Sequence, residues 1–394
     1  MEPFEIFEAL LTPAGKADPY PYYALLHEHG HSAELAPGAT LVFGYDAIDA
    51  TLREAALRVA DAEYYDEFFP SWRDHPSLAM ESVQSLNPPR HGQIRGPLSK
   101  AFTHRRVADL RPAAEAFTDR LLDEMADHGE GGAPVDFVRF AYQLPVNVIS
   151  ELIGIPPSDR VEFSRMATNL ASALEPESDF EVRTDADRAA VELRDYLSGL
   201  AEQCRIDPRD SLLSALVSLT DSDDARLTEN ALLDNVMLLL VAGFATTTGM
   251  LGHGMDLLLR DPGLADALRS GAMGVDAFVE EVLRYDPPVQ MVVRRRVYGD
   301  RPAEEVMLLI GAGNRDPLRF DAPDRFDAGR AERSTLSFGA GAHFCLGAAL
   351  ARMEGIVAFE QLLGRFPKLA PGGPAMRRPS FVLRGFESMP ITLC

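Results

Sequence analysis

The segment Ser337-Phe338-Gly339-Ala340-Gly341-Ala342-His343-Phe344-Cys345-Leu346-Gly347 places a thiol among three glycines, just before a helical run from Ala348 to about Gly364. Glycines let a backbone approach a ligand closely or take up positive φ. Open N–H groups and the dipole at a helix start favour an anion. Cys345 is therefore placed to ionise, and as a thiolate it can bind iron. A buried cysteine in a glycine-rich turn is the plainer alternative for a lone thiol. A dinucleotide-binding turn is excluded, because the third glycine of Gly-x-Gly-x-x-Gly would fall on Phe344.

Other segments carry charged groups at helical spacing. Glu280-Glu281-Val282-Leu283-Arg284-Tyr285-Asp286-Pro287-Pro288 sets Glu281 and Arg284 on one helix face and ends the helix at the prolines. Alone, such a pair is ordinarily a solvated bridge worth roughly a few tenths of a kcal/mol. Asn87-Pro88-Pro89-Arg90-His91-Gly92-Gln93-Ile94-Arg95 sets His91 and Arg95 at i,i+4, again on one face. Arg294-Arg295-Arg296 lies in a strand-like run, Met291–Tyr298. Leu240-Val241-Ala242-Gly243-Phe244-Ala245-Thr246-Thr247-Thr248 is the centre of a helix expected over 229–260, about 48 Å long at ~1.5 Å per residue. Gly243 permits close approach to a flat cofactor there, and the three threonines can divert backbone hydrogen bonds.

The pattern Phe-Gly-x-Gly-x-His-x-Cys-x-Gly, from Phe338 to Gly347, resembles the haem-binding loop of the haem-thiolate monooxygenases, the cytochrome P-450 family, at each fixed position. The resemblance implies haem b as cofactor and Cys345 as its iron ligand, pushing electron density toward the metal. It also implies that Gly339 and Gly347 shape the loop, that Phe338 packs near the sulfur and that His343 reaches a haem propionate. Glu281 and Arg284 resemble the family's Glu-x-x-Arg. Asn314–Pro317 and Pro323–Asp327 look like its meander, making Arg325 the third member of a structural triad behind the cysteine loop. Asn87–Arg95 is similar to Asp-Pro-Pro-x-His-x-x-x-Arg, which implies that His91 and Arg95 hold propionates as charge-assisted donors. Asn87 departs from the usual Asp, a change expected to matter little. Arg294 is favoured as a further propionate donor, with Arg295 and Arg296 open as alternatives.

Ala242–Thr247 resembles the family's Ala-Gly-x-(Glu/Asp)-Thr-Thr, which implies that Gly243, Thr246 and Thr247 belong to the oxygen-activation centre. The acid position is Ala245, and a methyl group carries no proton. Three replacements for the usual proton route stay open: a substrate hydroxyl or carboxyl, another side chain or ordered water, or a reaction other than simple hydroxylation. These motifs run in the family's order from about 86 to 352. Asp18–Tyr23 and Met389–Leu393 are also similar, so the resemblance covers nearly the whole chain.

The elements that must position these groups are mostly helical. Periodicity predicts helices around 22–30, 91–102, 107–127, 137–153, 158–174, 180–203, 210–219, 229–260, 263–270, 275–285 and 346–364. Strand-like runs are short: Ala39–Gly44, Met291–Tyr298, Val306–Ile310, Phe381–Leu383 and Pro390–Leu393. Between about 286 and 344 long helices vanish into turns, where sites tend to lie. No repeat, linker or charge block divides the chain. The expected fold class is mainly α, the cytochrome P-450 fold, as one large helical domain over 1–394 with small peripheral β-sheets.

Composition narrows the function classes. The 38 Lys and Arg against 60 Asp and Glu give a net charge of −22, which repels phosphate backbones and anionic lipid. Neither nucleic acid nor membrane is an expected partner. Three cysteines cannot build a disulfide framework and match no zinc spacing, and Cys204 and Cys394 read as structural and incidental. The start has no basic stretch before an apolar one, and the longest apolar run, Val236–Ala245, is roughly half of the ~20 residues that span a bilayer. A soluble, cytoplasmic monomer is expected.

The resemblance further implies electrons from a ferredoxin reduced by an NAD(P)H-dependent reductase. Arg95, Lys100, His104, Arg105, Arg106 and Arg352 would then form a basic patch that steers an acidic partner. The substrate pocket is expected from the 75–87 loop, Leu239, Val241, Ala242, Phe244, Ala245, Pro288, Val289, Gln290, Met291, Val292 and the turn containing Phe386. That inventory is mainly apolar and suits a lipophilic substrate. By analogy the substrate is a polyketide, macrolide or peptide intermediate, free or carrier-protein bound. A peroxide-using or otherwise atypical member, prompted by Ala245, and a haem protein that binds a lipophilic ligand without oxidising it are the alternatives. Cys345→Ser is expected to abolish the red-shifted Soret band of the ferrous carbonyl complex, which reports thiolate ligation, while Cys204→Ser retains it. The opposite outcome would move the ligand to Cys204.

Overall fold

Apolar periodicity and proline placement decide most helix boundaries. Glu229–Arg260, Val275–Tyr285 and Phe137–Ile153 fold over the spans that the periodicity predicts. The run expected over 107–127 divides into His104–Asp109 and Arg111–His128. Pro112 sits in the first turn of the second helix, where a missing N–H costs nothing. The computed structural model describes residues 1–394 apart from 73–74, 172–179, 222–226, 300–301 and 394. The end of the helix expected over 158–174, and Cys394, lie outside the described residues.

Contacts group the chain into two compact units. The first comprises Met1–Arg58, Glu115–Leu144 and Thr246–Cys394; the second comprises Val59–Ala114 and Pro145–Ala245. The first unit holds the three main sheets. A five-stranded sheet runs in the order Ser32–Ala36, Ala39–Val42, Glu304–Leu309, Met291–Arg296, Leu57–Arg58, with Ala39–Val42 parallel to Glu304–Leu309. Pro390–Leu393 pairs with Val135–Asp136 and Leu369–Pro371. Phe381–Leu383, expected as a strand, makes only a single bridge from Leu383 to Val289. The strand lies further on, at Phe386–Ser388, paired with Met376–Arg377.

Glu229–Arg260 is long and apolar enough to cross a membrane, yet 72% of its most apolar window is buried inside the protein. It is a core helix. Its C-terminal half packs through glycines: a Cβ on Gly254 would stand 2.4 Å from the Phe359 ring.

A buried polar network fixes the meander of the first unit. Arg284, with 1% of its side chain exposed, forks onto both carboxylate oxygens of Glu281 at 2.8 Å each. Its remaining donors reach the carbonyls of Asn314 at 2.9 Å and Pro323 at 3.0 Å. Glu281 also accepts the Asp327 N–H at 2.8 Å. Arg325 was expected to complete this group with its guanidinium. Instead it contributes its carbonyl to Arg284, while the 71% exposed side chain pairs with Asp327. The second buried arginine is Arg330, whose Nε lies 3.5 Å from Glu281 and whose Nη groups bind the carbonyls of Asp321, Ala322 and Arg325. Glu281→Ala or Arg284→Ala leaves an uncompensated buried charge and is expected to cost ~3–5 kcal/mol. Arg325→Ala is expected to stay within ~0.5 kcal/mol of the parent in denaturant unfolding. Equal losses for Arg325→Ala and Arg284→Ala would contradict this assignment.

Candidate functional site

The network passes directly into the cysteine loop. Asn314 accepts the Leu336 N–H at 2.8 Å and donates to the Ser337 hydroxyl at 2.9 Å. Ser337 in turn donates to the Leu283 carbonyl at 2.6 Å. The Cys345 N–H then closes onto the Phe338 carbonyl at 2.9 Å. Gly339 and Gly341 hold φ of 67° and 68°, and a Cβ on Gly341 would collide with the Leu52 carbonyl at 2.3 Å. This turn needs glycine for both reasons. The following helix, Ala348–Arg365, starts with Gly347 as its N-cap residue, so Cys345 stands two residues before it, half-buried. Gly347 lies against the sulfur, its Cβ position 4.0 Å from Cys345 Sγ. Phe338 is buried beneath the Arg352 guanidinium, 4.3 Å above its ring, and Arg352 pairs with Glu280. His343 occupies a single 3₁₀ turn and is half-buried.

Strand geometry separates the three arginines. Arg294 and Arg296 share one strand face and Arg295 points to the other. Arg296 is already spent on Glu54 and Glu304 at 2.7 Å each. Arg294 donates to the Val293 carbonyl at 2.8 Å, and among the described residues no acid pairs with it. Burial lowers its pKa from the usual arginine value. A desolvated guanidinium lacking a carboxylate is suited to a ligand anion. In the second unit, His91 is buried on the helix Arg90–Ala101, with the half-buried Arg95 one turn on. Burial, then the charge of Arg95, lowers the His91 pKa. Asn87 matters more than expected. Its amide accepts the Val59 N–H at 2.9 Å and donates to the Val59 carbonyl at 3.1 Å and to Asp61 at 2.6 Å. An aspartate there could not donate and would repel Asp61.

Around Gly243 the long helix has one accessible side, while Leu240, Val241, Phe244, Thr247 and Thr248 are buried. Leu239, Ala242, Gly243, Ala245 and Thr246 are partly or fully accessible, and ~100° per residue brings them to one side. Val241 and Phe244, expected in the pocket, fall on the opposite side and are 5% and 3% exposed. The absent side chain of Gly243 faces Ile149, with a Cβ position 3.6 Å from it. Thr248 donates to the Ala141 carbonyl at 3.2 Å. Thr247 is buried and hydrogen-bonds Glu354, which leaves Thr246 as the threonine on the open stripe.

Two further pocket expectations are corrected in the first unit. Gln290 is fully buried and spent, accepting from the Tyr23 hydroxyl and donating to the Pro287 carbonyl at 2.8 Å each. Phe386 is buried against His253 and Arg377. Met291 and Val292 pack against different core clusters from opposite strand faces, while Val289 stays half-buried. The expected basic patch is partly neutralised, since Arg105, Arg106 and Arg352 pair with Asp109, Asp210 and Glu280.

Sequence reasoning missed Glu354. This carboxyl is buried on the helix that follows the cysteine, and desolvation pushes its pKa up to about 8 against the opposing Thr247 hydrogen bond. The available signal was an acid on the apolar face of that helix, between Met353 and Gly355.

The residues present fit a haem. The first unit supplies a thiol on a glycine loop and a desolvated arginine with no acid among the described residues; the second, taken by itself, supplies a buried His one turn before an Arg. Together with the mainly α architecture, they define a haem-thiolate oxygenase. The cytochrome P450 family model matches residues 274–383. The chain is 36% identical over 383 residues to 6-deoxyerythronolide B hydroxylase of Saccharopolyspora erythraea, covering 91% of each chain. It is 36% identical over 399 residues to the cytochrome P450 monooxygenase PikC of Streptomyces venezuelae, covering 95% of this chain and 91% of PikC. Among solved structures, P450BioI in complex with hexadec-9Z-enoic acid ligated acyl carrier protein matches with a TM-score of 0.86 and 29% identity, over 96% of this chain and 98% of that one. The chain belongs to the cytochrome P450 family. It is a monooxygenase of that family with a haem iron cofactor.

Glu354 yields a pH prediction. Its folded pKa of about 8 exceeds the unfolded value, so the folded state binds the extra proton between the two. Its stability contribution is complete below the unfolded pKa and is lost as pH rises toward about 8, by at most ~1.4 kcal/mol per pH unit. Glu354→Gln is expected to flatten the fall in melting temperature between pH 6 and 8, and an unchanged profile would show that Glu354 is not the titrating group.

Proposed function

We propose that this monooxygenase hydroxylates or epoxidises a lipophilic biosynthetic intermediate of the polyketide, macrolide or peptide kind. The observation that carries this reading is the open stripe of Leu239, Ala242, Ala245 and Thr246, small or apolar but for one hydroxyl. A surface of that kind receives an apolar ligand and orients it with few polar contacts. The Saccharopolyspora erythraea relative, a 6-deoxyerythronolide B hydroxylase, supports the substrate class. The acyl carrier protein in the P450BioI complex supports delivery of a carrier-bound substrate as well as a free one.

Bound haem b supplies the oxygen-activation chemistry. Cys345 is its thiolate ligand, and His91, Arg95, Arg294 and His343 hold its propionates, with Phe338, Gly339 and Gly347 shaping the sulfur's surroundings. A ferredoxin, reduced by an NAD(P)H-dependent reductase, delivers electrons to this cytoplasmic monomer. Thr246 Oγ1 holds a proton on the substrate side. Ala245 cannot replenish it, so a hydroxyl or carboxyl of the substrate helps to organise protons there. A second route is favoured by the Thr247–Glu354 hydrogen bond: Glu354, protonated below about pH 8, stores a proton behind the residue next to Thr246.

The test begins with spin-state titration of macrolide aglycones, 6-deoxyerythronolide B first, followed by product analysis with ferredoxin, reductase and NAD(P)H. Product formed per NAD(P)H is expected to fall by roughly tenfold when the substrate's polar group is capped as a methyl ether. Equal coupling with unchanged positioning would refute substrate assistance, and loss of coupling in Glu354→Gln would select the second route. Spin shifts without product for every ligand would overturn the monooxygenation proposal, and faster turnover with peroxide alone would overturn the ferredoxin route.

A further inference from the structure

A pocket of about 400 Å³ lies wholly within the first unit, and its lining includes no residue of the cysteine loop. Its walls include Tyr20 and Tyr285, and three polar atoms around it have unspent hydrogen-bonding capacity. His253 is buried, and its Nδ1 donates to the Asp286 carbonyl at 2.7 Å. A carbonyl only accepts, so the proton sits on Nδ1 and Nε2 is an acceptor. That Nε2 has no hydrogen-bond partner among the described residues. Burial outweighs the neighbouring Asp286 and lowers the imidazole pKa to about 4, which keeps the ring neutral. Asp286 gives Oδ1 to the Tyr20 hydroxyl at 2.6 Å and to Arg384 at 3.0 Å. Its Oδ2 lies 3.8 Å from His253 Nε2 and 3.7 Å from Arg377 Nη1, too far for a hydrogen bond to either. Arg377 Nη1 is a buried donor without a hydrogen-bond partner among the described residues, although its Nη2 is held by Asp256 at 3.1 Å.

Two acceptors, Asp286 Oδ2 and His253 Nε2, and one donor, Arg377 Nη1, thus belong to residues that line a space far larger than the ~30 Å³ of one water. We propose that this pocket binds a vicinal diol of a saccharide unit. One hydroxyl donates to Asp286 Oδ2 and accepts from Arg377 Nη1, and its neighbour donates to His253 Nε2. The lining arginines Arg260, Arg315, Arg377 and Arg384 are balanced by Asp18, Asp256, Asp286 and Asp324, which favours a neutral ligand over an ion. The diol belongs either to a free sugar or to a glycosylated small molecule. The site is independent of the proposed oxidation.

Saturation-transfer NMR on the haem-loaded enzyme tests the proposal with methyl α-D-mannopyranoside and with the same glycoside carrying methyl ethers on both neighbouring hydroxyls. Saturable binding of the first only is expected, weakened at least about tenfold by Arg377→Gln and by His253→Phe, with the Soret spectrum unchanged. If His253→Phe fails to fold, Arg377→Gln decides. A glycosylated macrolide that displaces the mannoside at lower concentration than its aglycone identifies the glycoside as the source; displacement only by free monosaccharides identifies the sugar. No saturable binding up to ~100 mM, or equal binding to the parent and Arg377→Gln, would overturn the proposal and leave the pocket to water.

Discussion

The ion pair between Glu281 and Arg284 is the constraint on which the cysteine loop depends. Two charges taken out of water are stable only when every donor and acceptor around them is satisfied. Arg284 meets that demand by binding carbonyls of Asn314, Pro323 and Arg325, and Glu281 by accepting the Asp327 N–H. The pair therefore orders a meander that has few helices of its own. Asn314 carries the order on to Leu336 and Ser337, and the Phe338 carbonyl receives the Cys345 N–H. The thiol's position is a consequence of this relay, closed by a glycine whose Cβ would strike Leu52.

The long helix solves a different problem. It is apolar enough to form the core, yet leaves Leu239, Ala242, Ala245 and Thr246 accessible along one side. Its threonines divide accordingly. Thr248 binds a neighbouring helix and Thr247 binds Glu354, while Thr246 remains on the open stripe. The missing acid at Ala245 and the buried carboxyl of Glu354 stand on different helices. A position lost from the helix that usually carries it is accompanied here by a titratable group on the helix of the cysteine ligand.

Charged groups elsewhere are sorted by whether the protein itself completes them. Arg296 is completed by Glu54 and Glu304, Arg325 by Asp327, and Gln290 by Tyr23 and Pro287. Among the described residues, Arg294 pairs with no acid, and His253 Nε2 and Arg377 Nη1 have no hydrogen-bond partner. The completed groups hold the fold, and the incomplete ones are those to which the proposed ligands are assigned.

Local patterning by itself determined the long helices and the glycine-rich cysteine loop, and the resemblance of that loop to the haem-binding loop of the cytochrome P450 family supplied the class of chemistry. Cys345 among Gly339, Gly341 and Gly347 is a local arrangement, and 3.6-residue periodicity and proline are local signals. Tertiary structure decided which side of each element faces the core. Val241 and Phe244 are apolar like Leu239, and only packing turned them away from the open stripe. It also decided that Arg296 is paired with acids while Arg294 has none among the described residues, since Glu54 is distant in the chain from Arg296 and Glu304 lies across a strand pair. Arg325 and Arg330 exchanged roles because burial, which no local spacing encodes, determines which guanidinium needs Glu281. Glu354 became a group titrating near neutrality for the same reason: its pKa is set by the dry helix faces packed around it, not by its neighbours in sequence.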